Sequence, residues 1–360
     1  MLKPDSNIQR FVISSPVTFC GEYSSEDINV SIMFEKTIST LCHSGQKFYM
    51  VSILTRDNIR GDVVRVYPNY TYYSDVICMC MSVLYGKAIY NHGFIEENGV
   101  FRQPDMLVPQ IIHYDNDVYS NSPRKDLEIP FNFEKINLIT HLLKFKGDSK
   151  AYISLINAAR FYWRALHNIE KDAELAFIDL VSCGEALASG YKFSMDDLIK
   201  HDDKLCNIIN MIKKEEIDSD VKKNLCNFMR SRLYQVKRKY ILAIFNSLND
   251  YFFSNTESKS NGRIGRIQRN NVEKNISCTY DLRSKYIHEG LYLGDSLKEL
   301  RNWKNEVEMI ASINDDKMLK NTFTLHGLER VMRYCLLVYI HNKLGISLDK
   351  RLCVDKSILH

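Results

Sequence analysis

The distribution of proline constrains the fold of this chain more than any other feature. All seven prolines lie at or before position 130 (4, 16, 68, 104, 109, 123 and 130), and the rest of the 360-residue chain contains none. Proline interrupts helices and is confined to the edges and turns of sheets, so a long stretch without it favours continuous helices. We therefore predict an α+β protein whose boundary lies near residues 130–148. Its parts are a mixed, β-rich N-terminal domain (1–145), an all-α helical bundle (146–347) and a C-terminal tail (348–360).

Strand-like runs alternate with turn residues before this boundary. Residues 11–19, 29–34, 47–54 and 62–67 are rich in Val, Ile, Tyr and Phe, which favour strands. Residues 75–90 have the apolar pattern of a helix. These patterns predict the elements of the N-terminal domain but not its role.

The spacing of apolar residues changes to that of helices after the boundary. Apolar residues recur every three or four positions through residues 173–188 and 325–339, which indicates amphipathic helices. Similar patterns predict further helices at 151–168, 198–214, 221–253, 272–289 and 296–313. Residues 254–265 are polar and contain glycine, which predicts a loop.

Ten cysteines are spread along the chain without a CxxC pair. Cys78 and Cys80 are close together, but no second pair or nearby histidine completes a zinc-binding pattern, so we expect buried thiols and no metal site. The N-terminus lacks an apolar signal core, and residues 76–85, the longest weakly polar run, are too short to span a bilayer. We therefore expect a protein of the reducing cytoplasm that does not enter membranes.

A basic stretch runs from Asp218 to Arg269. It contains eleven Lys and Arg residues against four acids, with several aromatic residues between them. Such a stretch suits the phosphates and unstacked bases of RNA, but it is equally typical of the solvated face of a long helix. Under the first interpretation, the RNA-binding residues are Arg230, Arg232, Lys237, Arg238, Lys239, Arg263, Arg266 and Arg269.

Arg283 and His288 form an Arg-x4-His pair near the end of the helix predicted at 272–289. Gly290 follows, and glycine favours the left-handed conformation that ends a helix. Chance alone supplies about 1.6 Arg-x(4–6)-His matches in a chain of this length and composition. Arg160 and His167 form another such pair, so the spacing by itself identifies no site.

The residues around Arg283 and His288 carry more information than the spacing does. Residues 282–290 (LRSKYIHEG), together with 158–166 (AARFYWRAL) and 176–187 (AFIDLVSCGEAL), resemble the signature of the HEPN superfamily (higher eukaryotes and prokaryotes nucleotide-binding), particularly its Apea-like branch. The resemblance covers about residues 148–345. Many members place glycine directly after the histidine, whereas Glu289 intervenes here.

This resemblance implies a helical bundle with a metal-independent endoribonuclease site that needs no cofactor. Arg283 and His288 would be its catalytic residues, and Ser284 and Tyr286 would support them. RNA would be cleaved to a 2′,3′-cyclic phosphate and a 5′-hydroxyl, as in toxin-like effectors of defence against phage. The chemistry is suitable, because histidine transfers protons near neutral pH and arginine binds phosphate through two parallel donors.

Helical geometry constrains how Arg283 and His288 can share a site. A five-residue offset on an ideal helix places two side chains about 140° apart and about 7.5 Å apart along the axis. Arg283 and His288 therefore share a site only if the last turn is distorted or if two protomers pool their residues. Members of the family dimerise in this way, so we expect a homodimer.

Glu185 lies on the apolar stripe of the helix predicted at 173–188. A buried carboxylate is costly unless it is paired. We consider two partners for it: Arg283, which Glu185 would orient, or another arginine of the bundle such as Arg164.

A second function from a different class stays open. The bundle would then be a non-catalytic, dimerising scaffold that binds RNA, and the N-terminal domain would recognise a protein or ligand trigger. A nucleotide-binding phosphate loop is not predicted, because residues 262–265 (GRIG) lack a following lysine–threonine pair.

Overall fold

The computed structural model describes the chain in stretches that include most of the predicted elements. These are residues 7–25, 30–36, 46–55, 70–97, 99–105, 116–125, 131–144, 147, 149–200, 203–231, 235–259, 265–290, 292–293, 301–307 and 321–354.

The N-terminal part contains an antiparallel sheet of six strands in the order β2-β3-β4-β1-β5-β6. Two of the predicted strands, 29–34 and 47–54, match within a residue, and residues 62–67 lie outside the described residues. The strand predicted at 11–19 ends at Ser15, because Pro16 follows and proline has no N–H to donate to a sheet. The strands are β1 (Asn7–Ser15), β2 (Tyr23–Ser25), β3 (Val30–Phe34), β4 (Lys47–Thr55), β5 (Tyr90–Glu97) and β6 (Val100–Phe101).

Helix α1 (Thr71–Tyr85) connects the sheet to the helical part. Nearly all of its residues from Ser74 onward are buried, and it packs against β5 on one side and bundle helices on the other. It ends at Gly86, whose φ of 62° is left-handed, so the predicted extension to residue 90 is wrong. Cys78 and Cys80 are buried in α1 as expected, and burial raises the pKa of Cys80 to about 12.

The rest of the described chain is mostly helical, which confirms the α+β class. Helices α3, α4, α8, α10 and α11 pack together as the bundle, and α6 and α7 pack against each other beside it. None of the described helices combines the length and apolar character needed to cross a bilayer. The helices after α1 are α2 (Asn137–Leu143), α3 (Ser149–Asn168), α4 (Ala173–Ser189), α5 (Met195–Lys200), α6 (Asp203–Lys214), α7 (Ser219–Ser231), α8 (Gln235–Ser247), α9 (Asp250–Ser254), α10 (Arg269–Glu289) and α11 (Leu325–Asn342).

Two predicted helices differ from the structure. The helix predicted at 221–253 is interrupted between α8 and α9, at residues 248–249, whereas residues 201–202 of the helix predicted at 198–214, and residues 232–234, lie outside the described residues. A local cap explains the interruption, because the side chain of Asn249 accepts a hydrogen bond from the Phe252 N–H and so begins α9. Residues 301–307, the described part of the helix predicted at 296–313, are not helical, and the Glu306 N–H bonds instead to the carbonyl of Gly265.

One apolar core extends through both parts of the molecule. It includes Phe11 of the sheet, Val76 of α1 and Leu180 of the bundle. Helix α11 lies at its centre, and every residue from Leu325 to Ile340 is buried. The described part of the predicted C-terminal tail packs against this core. The side chain of Leu352 is fully buried, and its carbonyl accepts a hydrogen bond from the side chain of Asn342.

Candidate functional site

The end of α10 carries the predicted catalytic pair. The helix is regular through Glu289, and Gly290 ends it with a φ of 68° while its N–H bonds to the carbonyl of Lys285. The predicted glycine stop is confirmed. Because the last turn keeps its helical form, Arg283 and His288 do not share a face of α10 within one chain.

Arg283 is held by the carboxylate predicted to orient it. Its Nη2 lies 2.9 Å from Oε2 of Glu185 on α4, and the two side chains are 17% and 21% exposed. The Nε of Arg283 is buried and has no hydrogen-bond partner among the described residues. The alternative pairing of Glu185 is wrong, because Arg164 donates from Nε to Asp179 at 2.9 Å.

His288 lies on the surface one turn and a half beyond Arg283. Its side chain is exposed, and its neighbours along the chain include Ile287 and Tyr292, which are 44% and 81% exposed. Tyr286 is half-buried and donates its hydroxyl to Glu174 at 3.2 Å, and Ser284 is half-buried. The end of α10 therefore presents an accessible imidazole beside apolar and aromatic surface.

Part of the predicted RNA-binding stretch is already neutralised by acidic partners. Arg230 pairs with Asp196, Lys237 with Asp281 and Arg269 with Asp250, at N–O distances of 3.2, 2.6 and 2.6 Å. Lys237 and Asp281 link α8 to α10, so this pair stabilises the bundle. Arg238, Lys239 and Arg266 are half-buried, and Arg232 and Arg263 lie outside the described residues.

In the second Arg–His pair, Arg160 and His167, the histidine has a structural role. The His167 ring stacks on Tyr90 with centroids 4.3 Å apart, and its Nε2 lies 2.9 Å from the carbonyl of Ile89. Burial, with smaller contributions from Lys171 and His92, lowers the pKa of His167 to about 4. A neutral ring that donates to a backbone carbonyl fastens α3 to β5.

A cluster of buried charges, which the sequence patterns did not predict, links distant segments of the chain. We call it the buried ion network, and it consists of Arg124, Glu257, Glu306, Glu329 and Arg330. Arg124 is 1% exposed and donates to both Glu257, at 2.8 and 2.6 Å, and Glu329, at 3.0 and 2.7 Å. Arg330 donates to Glu306 at 2.7 Å. Burial alone would raise the pKa of Glu257, but the adjacent Arg124 outweighs it and holds that pKa well below its ordinary range.

The buried ion network joins the two parts of the molecule. Arg124 also donates to the carbonyl of Gly86 at the end of α1, and Arg333 of α11 donates to the carbonyls of Val83 and Leu84 at 3.1 Å. A signal for it existed in the sequence. Glu329, Arg330 and Arg333 interrupt the apolar pattern of the last predicted helix, and a helix buried on all sides must pair such charges internally.

Asp117, Glu257 and His326 form the one group in the described part of the chain with metal-ligand chemistry, their donor atoms lying within 4.8 Å of one another. His326 Nε2 is 3.9 Å from Asp117. Both oxygens of Glu257, however, already accept hydrogen bonds from Arg124. A cation would have to displace this arginine, so the trio belongs to the surroundings of the buried ion network.

Comparisons with known proteins leave the family open. No family model matches the chain, and neither the curated proteins nor the solved structures contain a significant match to it.

Proposed function

We propose that the chain is a metal-independent endoribonuclease of the HEPN type that acts as a homodimer in the cytoplasm. The observation that carries the proposal is the contact between Arg283 and Glu185, which orients a guanidinium at the same helix end that exposes His288. A role as an effector of defence against phage follows from the resemblance alone.

The proposed reaction assigns one role to each residue. His288 takes the proton from the 2′-hydroxyl, whose oxygen attacks the adjacent phosphorus while the bond to the 5′-oxygen breaks. Arg283 binds the non-bridging oxygens and stabilises the charge that develops on them. The second histidine of the dimer would protonate the leaving 5′-oxygen, giving a 2′,3′-cyclic phosphate and a 5′-hydroxyl.

The regular end of α10 supports the proposed dimer. An ideal helix places Arg283 and His288 about 140° apart, which favours a site shared across a subunit boundary. Glu185 holds Arg283 through one nitrogen, which leaves donors for phosphate.

The direct test is cleavage of labelled RNA in the presence of a chelator. We expect His288→Ala and Arg283→Met to lose about 10²- to 10⁴-fold in rate. The matched controls are His141→Ala, another exposed histidine in the last turn of a helix, and Arg164→Met, another arginine paired with a carboxylate. Both controls should cleave like the wild type, and equal loss in a control would contradict the assignment.

A substrate with a single 2′-deoxynucleotide tests the proposed nucleophile. Cleavage should stop on the 3′ side of that nucleotide and continue elsewhere, because the attacking hydroxyl is missing only there. Cleavage at the substituted position would exclude this mechanism.

Mixing the two inactive variants tests the shared site. Subunits carrying His288→Ala and Arg283→Met should regain part of the cleavage after mixing, since a mixed dimer contains one Arg283 and one His288 across its boundary. The rate should stay below that of the wild type, because the second histidine, which protonates the leaving oxygen, is missing. A wild-type protein that is active yet monomeric by light scattering at micromolar concentration would contradict the dimer.

One observation favours the non-catalytic scaffold instead. Glu185 already neutralises Arg283, and the RNA phosphate must compete with it. The scaffold predicts RNA binding that falls steeply with salt, survives His288→Ala and yields no product.

A further inference from the structure

A cavity of about 440 Å³ lies where α1 of the N-terminal part packs against α3 of the bundle. Its residues recur at helical spacing on both sides: Tyr72, Asp75 and Met79 on α1, and Tyr152, Ile156 and Arg160 on α3. Pockets that bind small molecules typically have this size, an apolar lining and a few polar groups, and they occur at boundaries between domains.

Apolar and aromatic side chains line much of the cavity. Met79 and Ile156 are buried, Tyr72 is 53% exposed and Tyr152 is half-buried. Burial, followed by the nearby Tyr72 and Cys80, raises the pKa of Tyr152 to about 12, so its hydroxyl stays a neutral donor. Tyrosine rings offer stacking surfaces to a planar heterocycle.

The polar groups of the cavity have opposite charge. Arg160 is exposed and lines the cavity, and no described residue accepts a hydrogen bond from its guanidinium. Asp75 uses Oδ1 to accept from Asn91 at 2.8 Å, and its other oxygen stays available within the described structure. Tyr152 and Arg160 are eight residues apart on α3, or about 12 Å along the helix axis.

We propose that this cavity binds a nucleoside monophosphate, with the base against Tyr72 and Tyr152 and the phosphate on Arg160. Asp75 accepts from a sugar hydroxyl or an exocyclic amine. Arginine suits this role because its guanidinium binds phosphate through two parallel donors. The site lies on α1 and α3 rather than on α10, so the proposal does not depend on the nuclease.

Calorimetric titration of the full chain tests the proposal with AMP, adenosine and inorganic phosphate as separate probes. AMP should bind with one site per chain, at least tenfold more tightly than either adenosine or phosphate. Arg160→Gln should weaken AMP about ten- to a hundredfold, because it removes a charged hydrogen bond, and should leave adenosine unchanged. Tyr152→Leu should weaken both AMP and adenosine.

The matched control is Arg164→Gln, one turn further along α3, where the arginine is already paired with Asp179. It should bind AMP like the wild type. Thermal unfolding of each variant shows whether it is folded, and Arg160 has no partner in the described structure whose loss would destabilise it. The proposal fails if AMP shows no saturable binding at millimolar concentration, or if Arg160→Gln and Arg164→Gln bind it equally.

Discussion

Two arginine–glutamate contacts in this molecule differ mainly in burial. Arg124 meets Glu257 and Glu329 in the buried ion network at 1–2% exposure, whereas Arg283 meets Glu185 at the end of α10 at 17–21%. The first set has left water completely, so each charge depends on its partner. The second keeps part of its solvation, and under the proposed function a phosphate would exchange with the carboxylate. The same pair of residue types therefore stabilises the fold in one region and, in the proposed nuclease, would take part in the reaction in the other.

The largest effect is expected for Arg124→Met. Removing this guanidinium leaves Glu257 and Glu329 buried without their main partner, and the free energy of unfolding should fall by about 3–5 kcal/mol. Urea unfolding measures it. Adding Glu257→Gln to Arg124→Met should recover part of the lost free energy of unfolding. If Arg124→Met alone were as stable as the wild type, the buried ion network would contribute no more to stability than an exposed ion pair, which would contradict the comparison.

Acid should destabilise the protein through the half-buried His167. The pKa of His167 is about 4 in the folded chain, while the unfolded chain has an ordinary value near 6.5. The unfolded state binds more protons between these values, so stability falls as the pH drops from about 6.5 to 4, by up to about 1.4 kcal/mol per pH unit. Unfolding at several pH values should give a shallower slope for His167→Gln, and equal slopes would contradict the lowered pKa of His167.

Gly290→Ala should destabilise the protein by about 1 kcal/mol, because φ is left-handed there and alanine is strained in that region. No atom lies within 4 Å of the position of the added Cβ, so the cost is conformational and involves no collision. Urea unfolding checks the magnitude. A larger loss would show that the end of α10 is more constrained than its exposure indicates.

The smallest effect on stability is expected for Arg283→Met, the counterpart of Arg124→Met. The pair with Glu185 is partly solvated, so the free energy of unfolding should change by about 1 kcal/mol or less. The same urea experiment measures it. A loss as large as that of Arg124→Met would place Arg283 among the structural arginines and weaken the proposed nuclease.

Sequence patterns predicted the local features of the candidate site well. The helix around Arg283 and its stop at Gly290 are present in the structure, and of the two partners considered for Glu185 the structure contains Arg283. They depend on helical period, on the conformational freedom of glycine and on the cost of burying a carboxylate. The helix predicted over residues 301–307 is wrong. There the Glu306 N–H donates to the carbonyl of Gly265, and the Glu306 carboxylate accepts from the N–H groups of Glu257 and Ile267.

The sequence by itself determined where the chain changes from strands to helices, because proline and apolar spacing act over a few neighbouring residues. Only the tertiary structure decided which charges are buried together. Arg124 and Glu257 are 133 residues apart, and Arg124 and Glu329 are 205 apart. The loss of solvation that makes each of these groups require a partner arises when distant segments pack around it, and no local pattern records that packing.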